Sequence, residues 1–550
     1  MKKRRRGERL SLLERAGRGL DALIGVFSPR SAFYRSSFRA GIKAQTAYRG
    51  AGSDRIFENW FSTSGSADED LLNELPTLRE RTREINRNNP IASAIIDSIV
   101  DNVVGKGITP QAQPDAEMLR EAGVSDGDIR KFIGQAEREF ENYIAWADST
   151  LRCDFFQLQR LIERKEIEDG ESFIVPIMVT NEPWRSLERA VEVVEADRIR
   201  TPFGLEPKRP GVAIRSGIEL NRRGAPIRYW IEKAHPGDRQ WAVKKKGKQF
   251  MARRPYLPDG TPGIIHFFHQ KRPGQSRGYP LFAPALPLFK LLDEVIEAEV
   301  VSARVQACFS AFVKKVNAFG TAMNRSTFNS STEEREETLS PGMIEYLEPG
   351  EEVTFGNPTR PGNTFEPFVL RIMLVIGAAC GLPYEIVFKD FSRTNYSSAR
   401  ASKLEARRMF TCRQEALIRK FCAPIRNLVL EEAWLKGRID APGFGDPKLR
   451  KAWTEAIWIP PSWGWVDPVK EVEASIRAID AGLSSKTIEA RALGRRFEVI
   501  AEQKARENKL ETELHGDSSP APGRSTGQDT LLNDQEPETV PAGADPMEGQ

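Results

Sequence analysis

The sequence has little histidine and little cysteine, and each shortage argues against a class of chemistry. Four of the 550 residues are histidine, at positions 235, 266, 269 and 515. A histidine metal site or a Ser-His-Asp triad would have to draw on these, and none stands in a recognisable nucleophile setting. His266 and His269 (HFFH) lie three apart in a β-like run, which puts them on opposite faces of a strand. The five cysteines, Cys153, Cys308, Cys380, Cys412 and Cys422, form no CxxC pair. All but Cys153 fall in apolar or helical patterns, where a free cysteine acts as a small hydrophobe. A reducing compartment without disulfides or metal is expected. No run approaches the roughly 18 apolar residues of a membrane helix. Leu20 to Phe27 is short and broken and lacks a cleavage site, so a soluble, cytoplasmic chain is expected.

Two further motifs also lack what their chemistry needs. Val104-Gly105-Lys106-Gly107 has neither the first glycine nor the hydroxyl residue of a phosphate loop, and it follows a helix, so a helix end is expected. Asp293, Glu294 and Glu297 read as a solvated helix face rather than a catalytic or metal cluster. The sequence predicts no enzyme, no cofactor and no metal site.

What is present is an ordinary globular composition with unevenly placed charge. Apolar residues make up 40% and charged residues 29%, enough for a substantial core. The length allows two or three domains, or one elongated subunit of several modules. The 81 basic and 77 acidic residues leave a net +4, too little for a general nucleic-acid glue. Residues 1–55 are strongly basic, starting with Lys2, Lys3, Arg4, Arg5 and Arg6, and read as an arm. The end is rich in Asp and Glu and reads as a disordered acidic tail from about Thr512.

Between these ends the periodicity changes several times. Leu75 to Asn102 has helical spacing, with a start signal at Asn89-Pro90 and a stop at Gly105. Helices are expected from Ser125 to Asp148 and from Phe155 to Asp169. Short apolar or alternating runs follow at 171–179, 189–194, 212–220, 226–232 and 263–268, separated by Gly and Pro turns, as in an antiparallel β region. Leu281 to Val316 reads as one long helix. Asn317 to Pro361 is β-like, and helix resumes from Thr364 to Cys380. Further helices are expected at Pro468 to Gly482 and Ser485 to Lys509.

The segment from Gly377 to Arg426 holds the features closest to a binding surface. Gly381-Leu382-Pro383 closes one helix. A polar loop from Pro383 to about Tyr396 contains Lys389, Asp390, Ser392, Arg393, Thr394 and Asn395. Ser397-Ser398 are expected to cap a helix carrying Arg400, Lys403 and Arg407 on one side. Pro424 is expected to kink it. Residue types alone leave two readings open, phosphate contact and solvated surface.

Four stretches resemble the lambda-type portal proteins of tailed bacteriophages, in that family's order. They are RNNPIASAIIDSIVDNVVGKGI (Arg87 to Ile108), IIHFFHQKRPGQSRGYPLFAPAL (Ile264 to Leu286), GLPYE…FSRTNYSSARAS (from Gly381) and IPPSWGWVDPVKEVEASIRAIDAGLSS (Ile459 to Ser485). Together they span roughly Glu74 to Arg506. The resemblance implies a mainly helical α+β portal fold that closes into a ring, typically of twelve copies around a DNA channel. It would divide the chain into an arm (1–55), a wing (56–280), a first stem helix (281–316), a clip (317–363) and a second stem helix (364–382). After these would come a tunnel loop (383–397), a long kinked helix (398–437), a wing return segment (438–466), crown helices (467–510) and the acidic tail (511–550).

The family's role would be packaging and ejection of double-stranded DNA at one capsid vertex. The channel-facing residues implied are Lys389, Ser392, Arg393, Asn395 and Tyr396, with Arg400 and Lys403 behind. Implied partners are copies of itself, sequence-neutral DNA, the terminase large subunit, a head-tail connector, and capsid and scaffold proteins, with no membrane. The place implied is the virion, preceded by host cytoplasm during assembly. The competing readings are a DNA-modifying or ATP-driven enzyme, which lacks a complete site here, and a monomeric nucleic-acid-binding adaptor held by the basic arm.

Overall fold

The computed structural model describes residues 64–207, 209–238, 249–307, 311–315, 351–355, 365–392, 394–463 and 468–515. The basic arm, Cys308, Arg393 and most of the acidic tail lie outside these residues. The chain divides into a unit of residues 1–69 and a unit of residues 70–550, and every element numbered here belongs to the second.

The helical run that opens this unit is two helices, α1 (Leu75–Asn88) and α2 (Pro90–Val103). The residue before a proline is driven out of the helical region, and Asn89 is accordingly extended, with ψ 116°. Its side chain accepts from the amides of Ile91 at 2.9 Å and Ala92 at 3.0 Å, which caps α2. Gly105 follows α2 with φ +51°, the helix end expected there.

Strand β1 (Thr109–Ala112) leads to α3 (Ala116–Glu121) and α4 (Asp126–Ile144). Helix α5 (Phe155–Asp169) keeps its expected bounds, because Asp154 and Gln157 form a reciprocal capping box and Gly170 ends it in the left-handed region.

The β region comprises β2 (Glu171–Met178), β3 (Arg189–Val194), β4 (Ala213–Arg215), β5 (Ile218–Leu220), β6 (Pro226–Glu232), β7 (Phe250–Arg253) and β8 (Ile265–Phe268). The run 212–220 is a hairpin rather than one strand. Ser216 and Gly217, at φ +41° and +86°, turn it as a two-residue loop requires. Strand β2 is the centre of a three-stranded antiparallel sheet with β3 and β8, and β4 to β7 form a second sheet in sequence order.

Helix α6 (Leu286–Ala307) is shorter than the expected Leu281 to Val316, because 311–315 is a strand, β9 (Ala311–Lys315). It pairs antiparallel with β10 (Glu351–Phe355). After α7 (Phe365–Ala379) and α8 (Tyr384–Phe388) comes the long α9 (Tyr396–Leu417). A π-helical turn, Ile418–Cys422, separates α9 from α10 (Ala423–Leu435). It stands just before Pro424, where a kink is expected, and a proline without an amide hydrogen suits this break in the i→i−4 ladder.

The unit ends with α11 (Pro447–Thr454), β11 (Ala456–Ile459), α12 (Pro468–Asp480), α13 (Lys486–Ala492) and α14 (Phe497–His515). Strand β11 pairs with β1. The single helix expected from Ser485 to Lys509 is therefore two. The tail expected from Thr512 begins, among the described residues, as the last turn of α14.

Most of the core surrounds α2, which packs against α1, α5, α8 and α9. Its Ala92, Ile95, Ile96, Ile99, Val100 and Val103 are buried round the cylinder, as a central helix requires. Aromatic rings fill the space beside it. Phe155 stacks on Phe421 with centroids 5.4 Å apart, and Phe132 lies 4.6 Å from Trp453.

A buried ionic centre joins the two larger sheets. Glu171 accepts from Arg277 Nε at 2.7 Å, His266 Nε2 at 2.9 Å, the Gly278 amide at 2.8 Å, and Arg79. Arg277 also donates to the carbonyls of Ala196 at 2.9 Å and Ile199 at 3.0 Å. Satisfying both partners this fully offsets the cost of burying them. Gly278 has to be glycine here, since a Cβ would stand 1.9 Å from the Gly170 carbonyl oxygen.

Candidate nucleic-acid interface

The candidate surface is carried by the connection from α7 to α9. Helix α7 ends in a Schellman motif. Leu382 N donates to the Gly377 carbonyl at 3.0 Å and Gly381 N to that of Ala378 at 3.1 Å, with Gly381 at φ +72°. The polar loop expected from Pro383 to Tyr396 contains a helix, α8. Its apolar sequence YEIVF has a reason to be ordered, because Leu382 and Val387 reach the core.

Lys389 ends α8 in the left-handed conformation, φ +56°, a position that favours glycine, and its side chain is exposed. The next residues are braced locally. Asp390 accepts from the Ser392 amide at 3.0 Å and the Ser392 hydroxyl at 2.6 Å, and from the Tyr384 hydroxyl at 3.2 Å. Ser392 is therefore exposed but has its hydroxyl hydrogen committed. Thr394 N donates to the Phe391 carbonyl at 3.2 Å.

Asn395, not Ser397 or Ser398, caps α9. Its side chain accepts from the Ser398 amide at 2.8 Å, and Tyr396 is the first helical residue, 57% exposed. Asparagine is itself among the favoured N-cap residues, and that was the signal available.

The basic stripe on α9 is also sorted by its neighbours. Arg400 is exposed. Lys403 places Nζ 5.4 Å from the Phe391 ring centre, and the Arg407 guanidinium lies 5.4 Å from that of Trp463. Arg408 pairs with Glu405 at 3.1 Å. Among the described residues, Lys389, Arg400 and Lys403 form no ion pair. An open recess of about 540 Å³ lies beside the loop, lined by Lys389, Lys403 and Arg407 together with Phe391, Phe410 and Trp463.

Arg413 belongs to the interior instead. It binds Glu163 at 2.5 Å and also Glu166, both on α5, and Glu166 takes His269 Nδ1 at 2.8 Å. Burial alone would raise the Glu166 carboxyl, but Arg413 and His269 carry it down to about 2. Burial pushes the Glu163 carboxyl up, against the pull of Arg413. Gln414 donates to the Val103 carbonyl at 3.1 Å, satisfying an open end of α2. The base of α9 is thus fixed to α5 and α2, while its first turns and the preceding loop expose cations. Those cations can meet phosphates without reading sequence.

His266 and His269 do part company, as their spacing requires, His266 to Glu171 and His269 to Glu166. Among the described residues no group of three metal-ligating side chains converges, and no helix is long and apolar enough to cross a membrane. Asp293 accepts from Asn89 at 2.7 Å and Glu294 lies 3.5 Å from Lys290.

Residues 53–414 match the family described as "Phage portal protein, lambda family". Portal protein B of Escherichia phage lambda is 25% identical over 507 residues, covering 87% of this chain and 92% of that protein. The portal protein of Escherichia phage N15 is 24% identical over 510 residues, 88% of this chain and 93% of the other. Among solved structures, a chain from the neck of an empty gene transfer agent (GTA) particle, computed with C6 symmetry, aligns with a TM-score of 0.40 and 14% identity. It covers 75% of this chain and 93% of that one.

Proposed function

The chain belongs to the lambda family of phage portal proteins, and from that premise we propose that it closes into a ring, of twelve copies, through which double-stranded DNA enters and leaves the capsid. The observation that carries this reading is the pair of exposed cations Lys389 and Arg400, without an ion pair among the described residues, with the half-buried Lys403 beside them, mounted on a loop and helix anchored by Arg413 and Gln414. A lone surface cation contributes little. Repeated by cyclic symmetry around an axis, the same cation becomes a ring with a focused field. Phosphate contacts carry no sequence information, so such a ring would let the duplex slide.

In this reading 383–397 is the tunnel loop, with Lys389, Ser392, Arg393, Asn395 and Tyr396 towards the channel. The β region and its helices form the wing, α6 and α7 the stem, 317–363 the clip, and α12 to α14 the crown. The clip would face a terminase large subunit during packaging and a head-tail connector afterwards, with capsid and scaffold proteins around the wing. The protein does no chemistry of its own and works in the virion after assembly in host cytoplasm.

Electron microscopy of the purified chain, viewed down its axis, tests the ring. Closed rings with the 383–397 loop at the lumen are the expected result. A monomeric mass in solution would leave an adaptor as the better reading. Charge reversal at Lys389 or Arg393 should lower packaged DNA while rings still form.

A further inference from the structure

A partly open cavity of about 150 Å³ lies between α4, β1, α10 and the residues leading into α14. Two guanidinium groups line it, those of Arg426 and Arg496, beside the apolar side chains of Pro110, Phe140 and Ile144. Arg426 is 2% exposed, yet among the described residues its one hydrogen bond runs from Nη1 to the Thr454 carbonyl at 2.9 Å. Among the described residues it has no carboxylate within ion-pair distance. A guanidinium has five N–H donors, and among the described residues only Nη1 of this one meets an acceptor.

Arg496 gives Nη2 to Glu137, but its Nε is buried without an acceptor. Glu137 is already committed, since the same oxygen also accepts from the Ala112 amide at 3.3 Å. Glu141, the other acid on the lining, is exposed. Burial depresses Arg426 to about 10, with Glu137 opposing the shift from a distance. An unpaired buried cation is costly, and a buried donor without an acceptor is rare in folded proteins.

We propose that this cavity is a binding site for a small oxyanion of the inorganic phosphate class, held by the Arg426 guanidinium beside Arg496. The bound anion would neutralise Arg426 and tie the segment entering α14 to α4 and β1. The inference is independent of the ring and of DNA.

The test uses the full-length chain, melted in inorganic phosphate and in chloride at equal ionic strength. The wild-type protein should gain stability with phosphate and saturate, as ligand linkage requires. Arg426→Met should lose that increment. Arg426→Lys keeps the buried cation but loses the guanidinium's fork of donors, and should weaken phosphate binding about tenfold, as the loss of one hydrogen bond to a charged group implies. Equal stability of the wild type in both salts would mean that water alone fills the cavity and would overturn the proposal, as would an unchanged increment in Arg426→Met. Should that variant not fold, Arg426→Lys and calorimetric titration of phosphate into the wild type decide. A tenfold-weaker variant together with saturable heat upholds the site, and absence of either removes it.

Discussion

Nε of Arg277 lies 2.7 Å from Oε1 of Glu171, joining residues 106 positions apart at the seam of the two larger sheets. Arg277 also donates to Ala196 and Ile199, so one side chain ties β2 to the turn that follows β3. Glu171→Gln would leave Arg79 and Arg277 buried without their shared anion. The expected loss is about 3–5 kcal/mol, the usual result of removing one partner from a buried pair. Denaturant unfolding would measure it, and a loss under 1 kcal/mol would show that the centre is not what secures this seam.

Acid should destabilise the protein in two steps. Burial holds His266 below its ordinary 6.5, against the opposing pull of Glu171. The unfolded chain therefore takes up a proton near pH 6.5 that the folded chain refuses, and stability falls as pH drops below that value. Glu166 and Glu171 titrate below the ordinary 4.5. Burial would raise both, but Arg413 and His269 bring Glu166 to about 2, and Arg277 and Arg79 bring Glu171 well below its usual range. Their contribution is complete above 4.5 and is lost as pH falls towards 2. Melting temperature measured from pH 7 to 3 should show both limbs. His266→Gln should flatten only the upper one.

Lys389 combines a left-handed backbone with an exposed charge. Lys389→Gly should leave stability unchanged or raise it by up to about 1 kcal/mol, because glycine adopts φ +56° without strain. The same change removes a cation from the candidate DNA surface. Particles carrying it should assemble normally and retain less DNA. A clear drop in melting temperature would instead assign Lys389 a structural contact.

Asn395 holds the start of α9 through the Ser398 amide. Asn395→Ala should cost about 1 kcal/mol, while Asn395→Asp should restore the cap. If Asp proves as damaging as Ala in thermal melts, capping is not what the side chain contributes.

The candidate surface was only partly legible along the chain. Gly381-Leu382-Pro383 announced the end of α7, and the polar run after it announced a break before α9. What followed needed contacts from elsewhere. Phe391 under Lys403 and Trp463 under Arg407 convert an evenly spaced basic stripe into one exposed cation and two that rest on rings. Arg393 lies outside the described residues. In the fold, Ala311–Lys315 was hidden at the end of a helical run, because a short apolar stretch has no period long enough to separate strand from helix. Its pairing with Glu351–Phe355 decided the matter.

The sequence by itself determined where most helices begin and end, since caps, glycines and prolines act within a few residues. Asp154 with Gln157, Asn89 before Pro90 and Gly105 after α2 are of that kind. The order of its motifs also pointed to the portal family. Only the tertiary structure decided which charges lie inside. Glu171, Arg277, Arg413 and Arg426 look no different in sequence from exposed neighbours. A charge can be buried only where partners converge, and those partners are brought together from distant parts of the chain.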